Sequence, residues 1–196
     1  MERRSALHGC HLGAGAQLNT FFGWQMPARY TDASSELAQV RTSVGISDAS
    51  YLFKLDVRGP APEALSGRVW TLTPTHSLIT SSQPIDFAPS SLLTDLTSLY
   101  SAILLAGPKS RDTLQKLTTL NVSESAMPAG DARQTRLAHV NAIILAIILN
   151  DQSFDQGFLI LNTRDVAEHA WQALLHAGAS PFGMLAQQQW WNHASA

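Results

Sequence analysis

Four carboxylates stand where the chain is expected to turn: Asp48, Asp95, Asp151 and Asp155. Asp48 and Asp95 sit at the edges of expected strands with Ser or Thr neighbours. In that setting a carboxylate accepts hydrogen bonds from amides one or two residues on, which makes both read as turn residues. Asp151 and Asp155 flank a polar loop that ends near Gly157, and a carboxylate in such a loop can accept donors from an amino-pyrimidine edge. His8 and His11 are three residues apart with no third ligand nearby, so they read as solvated or structural groups rather than as a metal site. His139, beside an apolar run, reads as a core or edge histidine, and His169, His176 and His193 carry no site signal. Gly9, Gly13 and Gly15 lack the preceding strand that a phosphate cradle needs. Asp131 and Arg133 read as a surface pair. No GxSxG elbow, HExxH helix, P-loop or GxGxxG turn occurs. The residues alone present no reaction centre, catalytic or metallic.

The elements that must position these groups follow from periodicity and punctuation. Residues 1 to about 17 are rich in Gly, Ala and His and read as irregular. Leu18 to Tyr30 carries Phe21, Phe22, Trp24 and Tyr30 around Gly23 and Pro27, a segment made for burial. Ser34 or Ser35 is expected to cap a helix through Val44 that Gly45 ends. Tyr51 to Val57 alternates as a strand, and Glu63 and Leu65 open a short turn or helix. Residues 66–91 are dense in Ser, Thr and Pro and promise one strand at most. Strands are expected at Ser98 to Ala106, at the Ile-rich run from Val140 to Leu149, and at Phe158 to Leu161. Helices follow at Ser110 to Leu117 and from Thr163 or Asp165 to Leu175. That order gives an α+β fold with mixed or antiparallel sheets and crossover helices on one side. Three parts are expected: an N-terminal segment 1–65, a linker or reduced subdomain 66–91, and an α+β domain 92–196.

The chain has 196 residues, with 13 Lys plus Arg against 15 Asp plus Glu and a net charge of −2. That balance argues against a nonspecific nucleic-acid or anionic-membrane binder. The lone Cys10 excludes an intrachain disulfide framework. No signal-like run follows the charged start, and the longest apolar run is too short to span a bilayer, so a soluble cytoplasmic protein is expected. Only 14% of residues are charged, and the tail carries adjacent Trp190 and Trp191. Low charge implies either Ser, Thr and Gln in its place on the surface or burial against a protein partner or a second copy of the chain. The adjacent tryptophans imply either such a partner or a local fold-back of a tail that in isolation would be mobile.

Phe22-Gly23-Trp24-Gln25-Met26-Pro27, then Tyr30, Glu36, Val40-Arg41, Gly45-Ile46 and Asp48-Ala49-Ser50 resemble the pattern FxGWxMPxxY…E…VR…G(I/V)xDxS of the aminomethyltransferase (glycine-cleavage T-protein) family. Lys54 and Val57-Arg58-Gly59-Pro60 continue the likeness. A second block, Asp95-Leu96-Thr97-Ser98 through Gly107-Pro108-Lys109-Ser110-Arg111, is similar to that family's strand and helix opening. Met127 to Ala138 resembles a stretch of the gamma subunit of heterotetrameric sarcosine oxidase, a short relative within a flavoenzyme complex. The family's N-x-x-GG-I-x-D-D segment and most of its RTGYTGExGFE block are missing here.

The resemblance implies a shortened T-protein-like fold and tetrahydrofolate as cofactor. Asp155 falls where the family's pterin-recognising glutamate stands, and with Tyr30 and Trp24 it forms the candidate cofactor-binding set. The implied role is an accessory subunit of a tetrahydrofolate-linked one-carbon system, with flavoenzyme subunits as possible partners. In that role Trp24, Met26, Tyr30 and Arg41 are structural anchors. The alternatives are an aminomethyltransferase that moves a one-carbon unit to tetrahydrofolate, and a non-enzymatic folate-binding-like regulator.

Overall fold

The computed structural model describes residues 2–60, 65–87, 92–148 and 156–193; the side chains of 148, 156 and 190–193 are outside that description. The chain opens with β1 (Arg3–Arg4), α1 (His8–Gly13), β2 (Gln17–Phe21) and β3 (Trp24–Arg29), followed by α2 (Ala33–Thr42), β4 (Gly45–Asp48) and β5 (Phe53–Arg58). Next come β6 (Arg68–Thr73), β7 (His76–Ser81), β8 (Leu93–Asp95), β9 (Tyr100–Ala106) and α3 (Ser110–Gln115). Then β10 (Ala132–Leu137), β11 (Val140–Ile148) and β12 (Gln156–Thr163) lead to α4 (Ala167–His176), β13 (Ser180–Pro181) and α5 (Met184–His193). A 3₁₀ turn, Arg164–Val166, introduces α4.

Three sheets result: a six-stranded sheet in the order β10-β11-β12-β9-β4-β13, a four-stranded sheet β6-β7-β5-β8, and a three-stranded sheet β1-β3-β2. The six-stranded sheet is antiparallel except where β13 runs parallel to β4, with Ser180 opposite Gly45 and Pro181 opposite Ile46. This is the α+β fold with mixed sheets that the element order implies.

The Ile-rich run is continuous because both faces of its strand are covered. Ile144 and Ala146 of β11 join Ile103 and Leu105 of β9 and Phe158 and Ile160 of β12 on one face, packed by Leu114 of α3 and Trp171 and Leu174 of α4. Ile143, Leu145 and Ile147 join Leu104, Leu159 and Leu161 on the other, against Leu37 and Val40 of α2, Ala186 of α5, and Trp70 and Leu78 of the four-stranded sheet. Helices therefore cover both sides of the sheet, not one. Each large side chain buried this way contributes roughly 1.5–3 kcal/mol. At the end of β9 the chain leaves through Gly107 (φ +108), where any Cβ would collide with the backbone carbonyls of Val40 and Ser43. A glycine is required there.

Several local expectations change. Residues 1–17 are not irregular, since β1 and α1 form there and β2 begins. The cap of α2 is Asp32, whose Oδ1 accepts the Ser35 amide at 2.9 Å, rather than Ser34 or Ser35. The described residues of 66–91 hold two strands, not one: Leu78 and Ile79 of β7 face separate clusters on its two sides. That two-sided burial removes the alternation that would have marked the strand. His139 is neither core nor strand edge; it stands exposed in the β10–β11 turn, where it and Ala138 are left-handed (φ 73 and 46). The tail is helical through His193, although its Gln-rich face hides the period. The turn or helix expected at Glu63, the loop at Asp151 and Asp155, and the Trp190 and Trp191 side chains lie outside the described residues.

Candidate functional site

Two polar arrangements flank the crossing from β4 to β5. The first is closed. Asp48, at the end of β4, accepts the Ser50 amide on Oδ1 at 2.9 Å, as a turn carboxylate should. Its Oδ2 lies 2.9 Å from His11 Nε2, and His11 Nδ1 lies 2.7 Å from the Tyr30 hydroxyl. A neutral ring protonated on Nε2 satisfies both contacts: Nε2–H donates to Asp48, and the Tyr30 O–H donates to Nδ1. His11 and Asp48 have no solvent exposure. Burial pushes the Asp48 carboxyl up, but hydrogen bonds from His11, Ser5 and Ser50 and the nearby imidazole overcome it, and the net direction is down. Burial, with Asp48 and Glu36 adding to it, holds the Tyr30 hydroxyl well above its ordinary range.

Lys54 of β5 completes this region. Its buried ammonium donates to Ser50 O at 3.1 Å and Leu52 O at 2.8 Å. Burial brings its pKa down to about 8, against the opposing pull of Asp48 and Asp95. Glu36 of α2 does parallel work. Its Oε1 accepts the amides of Tyr30 (2.6 Å) and Thr31 (2.8 Å), and its Oε2 accepts that of Gly183 (2.8 Å), tying α2 to the start of α5. In the sequence, Glu36 and Lys54 are marked only through family resemblance, whereas Asp48 also reads as a turn carboxylate and His11 as a structural or solvated group. The His11–Asp48 contact left no local signal, because its partners are far apart in the chain.

The second arrangement is open. A cavity of about 430 Å³ lies between the six-stranded and four-stranded sheets. Leu104, Ile147 and Leu159 form one wall, Trp70, Thr80 and Ser81 the opposite one, and Met184, Gln187 and Gln188 of α5 close a side. Tyr51 and Phe22 complete it, their rings stacked 4.6 Å apart at 11°. Phe22 is held there by the β2–β3 turn, in which both Phe22 (φ 53) and Gly23 (φ 76) are left-handed. A phenylalanine at that position is strained, and its ring is half-exposed. Beyond the stacked pair a smaller space of about 270 Å³ continues, lined among others by Arg3, Trp24 and Phe53.

Polar groups in the larger cavity are few. Trp70 Nε1 donates to Thr80 Oγ1 at 2.8 Å. The Gln187 amide accepts from Ser47 Oγ at 3.2 Å and reaches the Tyr51 hydroxyl at 3.4 Å. The Tyr51 hydroxyl is pushed up to about 12, by burial first and Asp48 second. Arg68 places its guanidinium 4.4 Å from the Trp70 ring centroid. Among the described lining residues there is no carboxylate and no histidine. No cluster of metal-ligating side chains occurs among the described residues. None of their helices is long and apolar enough to cross a membrane.

The candidate cofactor set is therefore spread out. Trp24 is buried and lines the smaller space. Tyr30 faces His11 and is not among the residues lining either space. Asp155 lies outside the described residues.

Comparison with known proteins adds sequence and fold. The family profile of the GCVT N-terminal domain matches residues 7–78 and 75–190. An aminomethyltransferase of Saccharopolyspora erythraea is 26% identical over 219 residues, covering 90% of this chain and 58% of that protein. A probable aminomethyltransferase of Halobacterium salinarum is 41% identical over 69 residues, 35% of this chain and 19% of that protein. The chain thus spans little more than half the length of the first of these relatives. The crystal structure of the glycine cleavage system aminomethyltransferase T from Bartonella henselae superposes with a TM-score of 0.79 at 15% identity, covering all of this chain and 63% of that one. A chain of heterotetrameric sarcosine oxidase from Corynebacterium sp. U-96 matches with a TM-score of 0.53 at 16% identity, over 74% of this chain and 90% of that one. At these identities the structural matches speak for the fold.

Proposed function

The chain belongs to the GCVT N-terminal domain family, and from that premise we propose that it is an accessory member of a tetrahydrofolate-linked one-carbon system, binding the folate without catalysing transfer alone. The carrying observation is the cavity's make-up: aromatic and aliphatic walls with a few amide and hydroxyl groups.

The residues present fit a flat, partly polar ring system. Tyr51 and the half-exposed Phe22 bring aromatic surface to the opening, and Gln188 and Thr80 bring hydrogen-bonding groups near them. Asp155 remains the carboxylate proposed for the pterin edge, Trp24 a wall of the adjoining space, and Tyr30 an anchor. Tetrahydrofolate, when bound, supplies the ring nitrogen that accepts a one-carbon unit. This chain's own residues would hold the ring and exclude water from it, with a partner chain supplying the missing catalytic groups. The fold shared with a chain of a heterotetrameric oxidase supports such a partnership.

The test is calorimetric titration with 5-formyltetrahydrofolate, repeated on Asp155→Ala, beside an ammonia-release assay with an aminomethylated carrier. Saturable binding that weakens in the variant, without ammonia release, is the expected result. Ammonia release by the chain alone overturns the accessory role in favour of a transferase. No binding to folded protein overturns the folate role.

A further inference from the structure

The turn between β10 and β11 is strained. Ala138 and His139 are both left-handed (φ 46 and 73), in a two-residue hairpin turn that Asn-Gly would fill without strain. That conformation puts the exposed His139 on the wall of a groove of about 540 Å³, which Lys116, Thr119, Arg136 and His169 also line. Arg136 is fixed there, its Nε and Nη2 donating to the His139 carbonyl at 3.1 and 2.6 Å. His169 Nε2 donates to the Ala138 carbonyl at 2.8 Å, and Lys116 Nζ donates to the Ala177 carbonyl at 3.1 Å. These bonds use only part of the donor set: Arg136 keeps its Nη1 edge, and Lys116 keeps most of its N–H groups. The His139 ring makes no hydrogen bond among the described residues.

Among the described residues, no acidic side chain lines this groove or pairs with Lys116 or Arg136. Glu168, which precedes His169 on α4, engages the Cys10 thiol instead. In a chain with 14% charged residues and a net charge of −2, two cations without an acid are a local excess. Arg136 and Thr119 also border a second groove of about 680 Å³, so the two adjoin. Its further lining is neutral and polar, with Tyr100, Gln134, Asn141 and Thr163. It stands four residues along the sheet from the apolar cavity, Tyr100 against Leu104 and Thr163 against Leu159, roughly 13 Å away.

Two compartments of different character thus meet at one arginine. Donors reach the first from the end of α3, from β10 and from the turn. Such a spread of directions suits the oxygens of a tetrahedral dianion better than the single plane of a carboxylate. We propose that the joined groove binds a small phosphate ester with a hydroxyl-rich body. The phosphate meets Lys116, Arg136 and His139, and the body lies along Gln134, Asn141 and Thr163. This site is separate from the folate reading and shares no lining residue with its cavity.

Ribose 5-phosphate, inorganic phosphate and ribose are the probes, titrated into isotope-labelled protein by NMR, with a urea midpoint for every variant. Ribose 5-phosphate is expected to bind more tightly than either fragment, shifting the amides of Leu137 to Val140 and Thr163 but not those of Leu104 and Ile147. Arg136→Gln should lose about fivefold or more on both phosphates, the scale of one charge-assisted contact, and Gln134→Ala should lose affinity for the ester alone. His139→Asn should weaken both phosphates by about twofold or more while its urea midpoint holds or rises, because asparagine accepts the left-handed turn. Undiminished binding in Arg136→Gln or His139→Asn overturns the proposal, as do losses that merely follow the urea midpoint. So do an ester that binds no better than inorganic phosphate, shifts confined to other parts of the molecule, and no binding at millimolar concentration.

Discussion

The closed network around His11 and the open cavity around Trp70 lie on either side of one short crossing, and they treat polar groups in opposite ways. In the network the polar groups answer one another: Asp48 meets His11 and Ser50, His11 meets Tyr30, and Lys54 caps two carbonyls. In the cavity, hydroxyl and amide groups are few, the walls are aromatic, and Arg68 is the one described cation. A histidine next to an aspartate attracts a catalytic reading, but complete satisfaction and complete burial mark this pair as architecture. The incomplete site is where chemistry with another molecule becomes favourable.

Substitutions test that contrast most sharply where it predicts the largest losses. Trp24→Ala is expected to cost about 3–5 kcal/mol, because the side chain is nearly fully buried and cannot be replaced by water. A urea melt that shows no loss would remove Trp24 from the anchors. His11→Ala removes one donor from the buried Asp48 carboxylate, a change of about 1–3 kcal/mol. The same series run at falling pH should show the wild-type advantage disappear. Asp48 is depressed, so its contribution is present above the ordinary Asp range and is lost as pH drops through the lower folded value. A variant stable to within about 1 kcal/mol of wild type would erase the distinction between the two regions.

Lys54 tests the closed region at the alkaline end. With a folded pKa of about 8 against an ordinary value of 10.5, the unfolded chain binds more protons between those values. Stability from this group therefore rises with pH across that window, by at most about 1.4 kcal/mol per pH unit. In Lys54→Met the extra slope should vanish, while the two abandoned carbonyls cost about 1–3 kcal/mol each. Chemical melts of both proteins across that pH window measure the difference in slope directly, and identical slopes refute it. The smallest effect belongs to the open region. Phe22→Asn relieves a left-handed phenylalanine but gives up the stack on Tyr51, two terms of about 1 kcal/mol and opposite sign. Its urea midpoint should barely move, and a large loss would show the cavity rim to be part of the core.

Much of the scaffold was legible because its signals are local. β9, β11 and β12 read as apolar runs, the first closed by Gly107-Pro108. α4 shows its stripe of Ala170, Trp171 and Leu174. β7 was not legible: as a central strand packed on both sides it buries Ser77 and Thr80 along with Leu78 and Ile79, so neither alternation nor an apolar run survives. α5 was hidden by three consecutive glutamines, of which Gln187 is buried for its amide rather than its hydrophobicity. The site was the least legible part. Its walls come from two sheets, one helix and one turn, so no window of sequence contains it. Asp48 and Asp95 were readable as turn carboxylates since their amide donors at Ser50 and Thr97 are two residues on. The link from Asp48 to His11 required the fold.

The parallel pairing of β13 with β4 also bears on the order in which the molecule assembles. β4 has β9 on one side and β13 on the other, and both are made long after it during synthesis. On the ribosome, Gly45–Asp48 has no sheet neighbour until β9 emerges, and its second edge stays open until β13 follows, more than half of the chain after β4. Its burial beneath Phe182 and Val40 must also await residues beyond 180. Contacts so distant in sequence make folding slow and leave an apolar edge exposed to chaperones or to mispairing in the interval. Expression yield should therefore fall when β13 and α5 are removed, and truncation after residue 178 measures that dependence.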